Sequence, residues 1–331
     1  MPPSFNNAPS PEDTSPPADL TFTLQDIPGK GKGLISARPL SPGECIISEP
    51  PLFTTASLRD PSTIEQDLRS IIKSLPKDSQ RAFLSLHNNF PGSSTPFSNI
   101  VRSNGYPLGP SSDIGGIFPL VSRLNHSCLP NAQHAYNEQK DKMLVHIIRP
   151  IPCGQEITLS YIPGGPSSQR QTELKQNFLF TCTCELCSLP PPEKQKSDQR
   201  LTRAATLDQK IGSPKLVYTS PLQALHSAYE LLSTYNLEHI SDLRLPRLYY
   251  DAFQIVAVHS DLVRAREFAR LARDSRKICE GSDSGEVGRL EELMEDPRRF
   301  ENWGAAGRMW KTGSEDVGPD GEGFEKWLWR K

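Results

Sequence analysis

The sequence predicts an α+β chain, with a front half of short strands and turns, a helical insert, and a helical back half. Three observations carry this. Short β-prone runs at 21–24, 34–37 and 45–47 are separated by Pro28-Gly29 and Ser41-Pro42-Gly43, turn text that breaks extended chain. Apolar residues recur at helical spacing over 62–89 and again beyond 220. Between these regions Cys182, Cys184 and Cys187 crowd into six residues, which reads as metal binding before disulfides.

Composition bounds the rest. The chain has 331 residues, the length of one large domain or two to three small ones. Hydrophobic residues are 36% and charged residues 23%, with 31 prolines, which favour turns over long helices. The formal charge is −2, from 37 basic and 39 acidic residues. That argues against a strongly basic nucleic-acid binder, because phosphate binding needs concentrated Lys and Arg. No run of eighteen apolar residues occurs, so no membrane-spanning helix is expected. The start lacks a basic stretch followed by an apolar one, so no secretory signal is expected.

In chain order, residues 1–19 hold six prolines among Ser, Asn and Asp and read as a disordered tail. In 62–89, Ile64, Leu68, Ile71, Ile72 and Leu75 mark one helical face, followed by Phe83, Leu84 and Leu86. Residues 91–116, rich in Ser, Gly and Pro, read as a loop. Strand character returns at 143–148 and 157–161, and 163–169 read as another loop. Residues 171–180 are a short helical or extended approach to the cysteines. The Pro-rich, polar stretch from 190 to 210 reads as a linker.

Beyond it, Ser220-Pro221-Leu222-Gln223 has the form of a capped helix start, with Leu225, Ala228, Tyr229, Leu232 and Tyr235 on one face. A second helix is expected over 245–259 and a third over 261–279, ending before Gly281 with Leu262, Ala265, Ala269 and Ala272 on one side. The group suggests a tetratricopeptide-like array, without a clean repeat period. All four tryptophans, Trp303, Trp310, Trp327 and Trp329, fall in the last 29 residues. That segment either docks on the body through its aromatics, binds a partner, or is disordered.

Cys182-Thr183-Cys184-Glu185-Leu186-Cys187 offers three thiolates, one short of a tetrahedral zinc site. Of the other four cysteines, Cys128 has the most unusual setting, in Asn125-His126-Ser127-Cys128-Leu129-Pro130-Asn131, loop text dense in hydrogen-bonding groups. Cys45, Cys153 and Cys279 read as small buried hydrophobes.

Taken together, these segments resemble the SET-domain protein-lysine methyltransferases. Lys30-Gly31-Lys32-Gly33-Leu34 looks like that family's N-terminal GxG segment, and residues 125–131 match its NHSCxPN motif. Gly154-Gln155-Glu156-Ile157-Thr158-Leu159-Ser160-Tyr161 is similar to its GEEITxxY motif, with Gln155 for the first Glu. The cysteine cluster looks like the post-SET zinc segment. Four motifs in the family's order over 21–187 are a specific signal. The SET-and-MYND group and its fungal relatives are the closest in text, through the C-terminal helices and Cys279-Glu280-Gly281-Ser282-Asp283-Ser284. The MYND finger itself is absent, because 46–127 contain no cysteine.

The resemblance implies a SET β-fold of small sheets with a pseudoknot-like active site, and S-adenosylmethionine and zinc as cofactors. Tyr161 would be the catalytic tyrosine at the methyl, also touching the cofactor. Asn125 and His126 would bind the cofactor largely through backbone, and Lys30, Gly31, Lys32 and Gly33 would meet its methionine end. Phe180 would stack on adenine, Phe178 would line the lysine channel, and Cys128 would complete zinc with Cys182, Cys184 and Cys187.

The implied domains are a SET domain over 20–165 with an insert at about 62–90, a post-SET segment over 166–190, and a linker over 191–215. A helical domain over 216–298 and a Trp-rich tail over 299–331 follow. The expected partner is a protein or peptide presenting a lysine, histone or not, with Glu49, Glu156 and Glu173 available to a basic peptide. No direct nucleic-acid or membrane partner is expected. The expectation is a monomer, intracellular, in nucleus and/or cytoplasm. The alternative is a catalytically weak SET protein acting as a scaffold.

Overall fold

The computed structural model describes residues 20–58, 60–92, 94–109, 111–313 and 315–331. The expected disordered tail at 1–19 lies outside them.

The front half opens with a hairpin, β1 (Phe22–Ile27) and β2 (Gly31–Ser36). Its turn closes with Lys30 N–H donating to Ile27 C=O at 3.0 Å, and Gly29 and Gly31 take φ of +74° and +77°, which glycine adopts without a Cβ penalty. After the Ser41–Gly43 turn come β3 (Cys45–Glu49) and β4 (Phe53–Thr54).

The insert holds α1 (Ile64–Ser74), α2 (Lys77–Leu84) and α3 (Pro96–Asn104), followed by β5 (Gly105–Pro107) and β6 (Gly115–Ile117). Residues 91–116 are therefore not a plain loop. Pro96 sits in the first turn of α3, where a missing N–H costs nothing, so the prolines there do not exclude a helix. Leu68, Ile72, Phe83, Leu86, Ile100 and Ile117 form a small core of their own.

The strands β7 (Asn125–His126), β8 (Ala132–Asn137), β9 (Lys142–Ile147) and β10 (Glu156–Leu159) complete the front half. Among the described residues three sheets result, in the orders β1-β2-β10-β7, β3-β9-β8 and β4-β6-β5. β9 is central in its sheet and its Met143, Leu144, Val145 and Ile147 are buried, as a continuous apolar run requires. β10 runs antiparallel to β2 and parallel to β7, so the three segments that carry the motifs lie side by side.

The back half is helical: α4 (Ser167–Phe178), α5 (Pro191–Ile211), α6 (Pro214–Thr219), α7 (Pro221–Leu237), α8 (Arg244–Ala257), α9 (Leu262–Glu280), α10 (Gly285–Glu295) and α11 (Phe324–Leu328). The stretch expected as a linker is the 21-residue α5. Its prolines occupy the first turn, and Leu201, Ala204, Leu207 and Ile211 form a buried stripe against α7. α7 begins where expected, but Ser220 makes no side-chain cap bond. Asp261 does cap α9, accepting from the Arg264 N–H. α10 has no counterpart among the three helices expected individually in the 216–298 domain.

The Trp-rich tail docks on the body. Trp329 is buried, its ring 4.9 Å from Phe268 and 5.4 Å from Tyr229. Of the three cysteines expected to be buried, only Cys279 is, since Cys45 and Cys153 are exposed.

Candidate functional site

The motif sheet builds the site. Lys30 ends the first turn, Gly31, Lys32 and Gly33 lie in β2, Asn125 and His126 are β7, and Tyr161 lies two residues past β10. Glu156, the first residue of β10, bridges two of these elements. Its Oε2 is 2.7 Å from Lys30 Nζ, and its Oε1 accepts from Asn125 Nδ2 at 2.8 Å. The same amide also donates to Lys32 C=O at 3.2 Å. Gly33 leaves room for this: a Cβ there would stand 2.6 Å from Ile27 Cγ1, 2.8 Å from Asn125 Nδ2 and 3.0 Å from Glu156 Oε1. A Cβ on Gly31, in contrast, would meet nothing within 4 Å. Glu156 is thus committed inside the fold and not offered to a peptide.

The 125–131 loop is pinned on both sides. Asn131 accepts from the Thr158 N–H at 2.8 Å and donates to Glu156 C=O at 2.9 Å. Arg149 donates to Pro130 C=O and Leu129 C=O at 3.1 and 2.6 Å.

Tyr161 is held by its hydroxyl, which donates to Leu124 C=O at 2.6 Å. Burial, and then the charge of Glu156, push its pKa far above the usual tyrosine value, so it stays a neutral phenol at physiological pH. Its ring lies 5.0 Å from Phe178 and 5.3 Å from His126, and the Phe180 ring lies 6.0 Å from His126 and 6.5 Å from Phe178. Leu179 ends α4 in the left-handed region (φ 60°), which turns the chain between the two phenylalanines. The structure thus brings Tyr161, His126, Phe178 and Phe180 into one half-buried aromatic cluster.

The four cysteines Cys128, Cys182, Cys184 and Cys187 converge. Their sulfurs all lie within 4.8 Å of one another, with Cys128 3.9 Å from Cys182 and 3.6 Å from Cys187. Zn–S bonds of about 2.3 Å in a tetrahedron require sulfur–sulfur edges of about 3.8 Å, so the donor set fits zinc, and none of the seven cysteines is in a disulfide. Gln171 steadies the cluster: it donates to Cys182 C=O at 2.8 Å and accepts from the Cys182 N–H at 3.0 Å. α4, which carries Gln171, is itself anchored by Asp198 of α5, which accepts from the Ser167 N–H at 2.6 Å.

A SET domain family description matches residues 31–162. The histone-lysine N-methyltransferase set5 of Schizosaccharomyces pombe (strain 972 / ATCC 24843) is 34% identical over 286 residues, covering 84% of each chain. The chain belongs to the SET-domain protein-lysine methyltransferase family. Shorter matches join this SET protein to the human N-lysine methyltransferase SMYD2, 33% identical over 104 residues. They span 30% of this chain and 24% of that one. Another is the Arabidopsis thaliana histone-lysine N-methyltransferase ASHR1, 46% identical over 74 residues, 22% of this chain and 15% of that one. Among solved structures, the SET domain of LSMT bound to lysine and AdoHcy aligns over 85% of this chain and 87% of that one, at 11% identity and a TM-score of 0.35.

Several residues around the site were not singled out by motif. Glu49, expected to be free for a peptide, accepts from the Leu120 and Val121 N–H groups at 2.9 Å each and so fixes the 3₁₀ turn Val121–Arg123 just before Leu124. Burial pushes the Tyr106 pKa well above the usual tyrosine value. Arg170 reaches the cysteine cluster from α4. None carries a local sequence signature. A separate groove of about 750 Å³, lined by Arg203, Lys210, Pro221, Leu222, Met309 and Trp310, contains none of the motif residues.

Proposed function

We propose that this SET protein transfers a methyl group from S-adenosylmethionine to a lysine side chain of a protein, with Tyr161 at the reaction centre. The observation that carries this is the buried Tyr161 hydroxyl, held at 2.6 Å by Leu124 C=O within the ring cluster of His126, Phe178 and Phe180.

The residues fit the cofactor. Open space in front of Gly31 permits close backbone approach, and Lys30, part-exposed and held in place by Glu156 at 2.7 Å, stands beside it as a cation for a carboxylate. Both His126 ring nitrogens face protein groups, leaving its backbone for cofactor contact. Phe180 provides an aromatic face for adenine. When bound, S-adenosylmethionine supplies a methyl group activated on a sulfonium.

The chain's own part is to present a neutral amine in line. Free lysine has a pKa near 10.4, so only about one in 2,500 is neutral at pH 7. Apolar walls such as Phe178 disfavour the ammonium by desolvation and align the amine. With its proton committed to Leu124 C=O, the Tyr161 oxygen keeps its lone pairs as acceptors at the reacting centre. A phenol held neutral by burial orients and polarises, and does not act as a base.

Zinc, held by Cys128, Cys182, Cys184 and Cys187, would staple the post-SET segment to the 125–131 loop and so keep Phe178 and Phe180 beside Tyr161. A structural zinc supplies roughly 10–16 kcal/mol at neutral pH, enough for a segment with little core of its own. The scaffold reading has less support, because Tyr161, Asn125 and His126 are all present and brought together. Calorimetric titration with S-adenosylmethionine, on zinc-loaded and chelated protein, tests the proposal. Binding that disappears on chelation supports it, and equal binding by the metal-free protein defeats the zinc coupling.

A further inference from the structure

We propose that Arg170 is a positioning residue for the zinc: its buried guanidinium compensates charge on the four-thiolate centre and ties that centre to the loop following Tyr161. This rests on the zinc reading above. Arg170 lies in α4 and is 1% exposed. Its Nη2 is 3.7 Å from Cys187 Sγ, its Nη1 donates to Gly165 C=O, and its Nε has no partner. Among the described residues no carboxylate pairs with it. A buried cation without a counter-charge is strongly disfavoured, and arginine does not escape by losing its proton. Among the described residues the anionic group its nitrogens contact is a thiolate, Cys187; Glu238, which shares a small cavity with it, is bonded to Ser197 and Arg200.

The charge inventory around the cluster points the same way. Four thiolates around a divalent ion leave two net negative charges. His126 accepts the Tyr161 N–H at Nδ1 at 3.0 Å, so its Nε2, 3.3 Å from Cys128 Sγ, is an uncharged N–H donor. Arg244 is also near, lining one small cavity with Cys128, but Asp242 holds it at 2.6 and 2.8 Å and cancels its charge. Arg149 spends its donors on Leu129 and Pro130 C=O, and Arg170 is the cation that donates to a sulfur. Its second bond gives the contact a consequence for the site. Gly165 lies in the short turn that joins Tyr161 to α4, where Gly164 and Gly165 take φ of +109° and +102°. One guanidinium therefore spans the metal cluster and the segment that leaves Tyr161.

The test compares wild type, Arg170→Met and Arg170→Gln. Zinc affinity is read by competition with a chromophoric chelator, and thermal midpoints are taken with and without zinc. Both variants are expected to bind zinc about 10–100-fold more weakly. Their melting is expected to fall below wild type only in the zinc-loaded form, because the metal-free variants no longer bury an unpaired charge. Arg170→Gln can still donate to Gly165 and carries the test if the Met variant does not fold. Unchanged zinc affinity overturns the proposal, as does an equal loss of melting temperature with and without zinc, which would mark Arg170 as packing alone. A wild type that binds no zinc defeats the zinc reading and this proposal together. Stoichiometric zinc in wild type with unaltered affinity in the variants defeats this one only.

Discussion

The backbone N–H of Tyr161 donates to Nδ1 of His126 at 3.0 Å. With Nδ1 an acceptor, the single proton of the neutral ring sits on Nε2, which faces Cys128 Sγ at 3.3 Å. Burial lowers the His126 pKa to about 4, so the ring is neutral at pH 7. One imidazole thus links the tyrosine proposed for the reaction centre to a proposed zinc ligand. His126→Phe keeps a ring and removes both bonds. It is expected to weaken zinc binding about 10–100-fold and to lower methyl transfer. Chelator competition checks the first effect, and an unchanged zinc affinity would break the link.

Gly33→Ala tests the packing around Glu156. The added carbon would crowd Ile27, Asn125 and Glu156 at 2.6–3.0 Å. Overpacking of this kind costs about 1–3 kcal/mol, and here it also displaces the Asn125 amide. Denaturant unfolding should show the loss, and titration should show weaker S-adenosylmethionine binding. An alanine variant with full stability and affinity would mean that the close approach at Gly33 is unimportant.

Asp251 gives a pH prediction. Burial raises its pKa to about 6, against a smaller opposing effect of Arg247, which lies 3.9 Å away. Between about pH 4 and 6 the native state holds a proton that the unfolded chain has released. The stability tied to that proton is complete below the unfolded pKa and is lost as pH rises through about 6. Asp251→Asn is neutral throughout. Relative to wild type it should gain about 2–3 kcal/mol between pH 4 and pH 7, read from urea midpoints at the two values. Parallel curves for the two proteins would contradict this.

The docked tail predicts a stability effect far from the motifs. Trp329 is 1% exposed and packs on Phe268 and Tyr229, while Arg330 pairs with the buried Asp261 at 2.6 Å. Trp329→Ala should cost about 3–5 kcal/mol. A loss below about 0.5 kcal/mol would mean that the tail is not part of the cooperative unit.

The grouping of the proposed site residues is legible because they stand in contiguous runs of sequence. Lys30 to Gly33, Asn125 to Cys128, Glu156 to Tyr161 and Phe178 to Cys187 each form one short run, and the fold brings those runs together. What was not legible depends on contacts across the chain. The Glu49 bonds to Leu120 and Val121, and the approach of Arg170 to Cys187, join residues whose local text is ordinary. The α5 segment reads as a linker because its first turn is proline and its outer face polar. Only the spacing of Leu201, Ala204, Leu207 and Ile211 betrayed it. Cys45 and Cys153 show the converse error, since cysteine's general preference for burial says nothing about two strand-edge and turn positions.

The most direct measurement compares wild type with Tyr161→Phe, both zinc-loaded, for S-adenosylmethionine binding and for transfer of labelled methyl to protein lysines in a cell extract. The variant keeps the ring packed against Phe178 and His126 and loses only the hydroxyl bond to Leu124, about 1 kcal/mol of stability. The account predicts near-equal cofactor affinity and a fall in transfer of about a hundredfold or more, the size seen when one preorganised polar group is removed from a reaction centre. Transfer at the wild-type rate by Tyr161→Phe would contradict it.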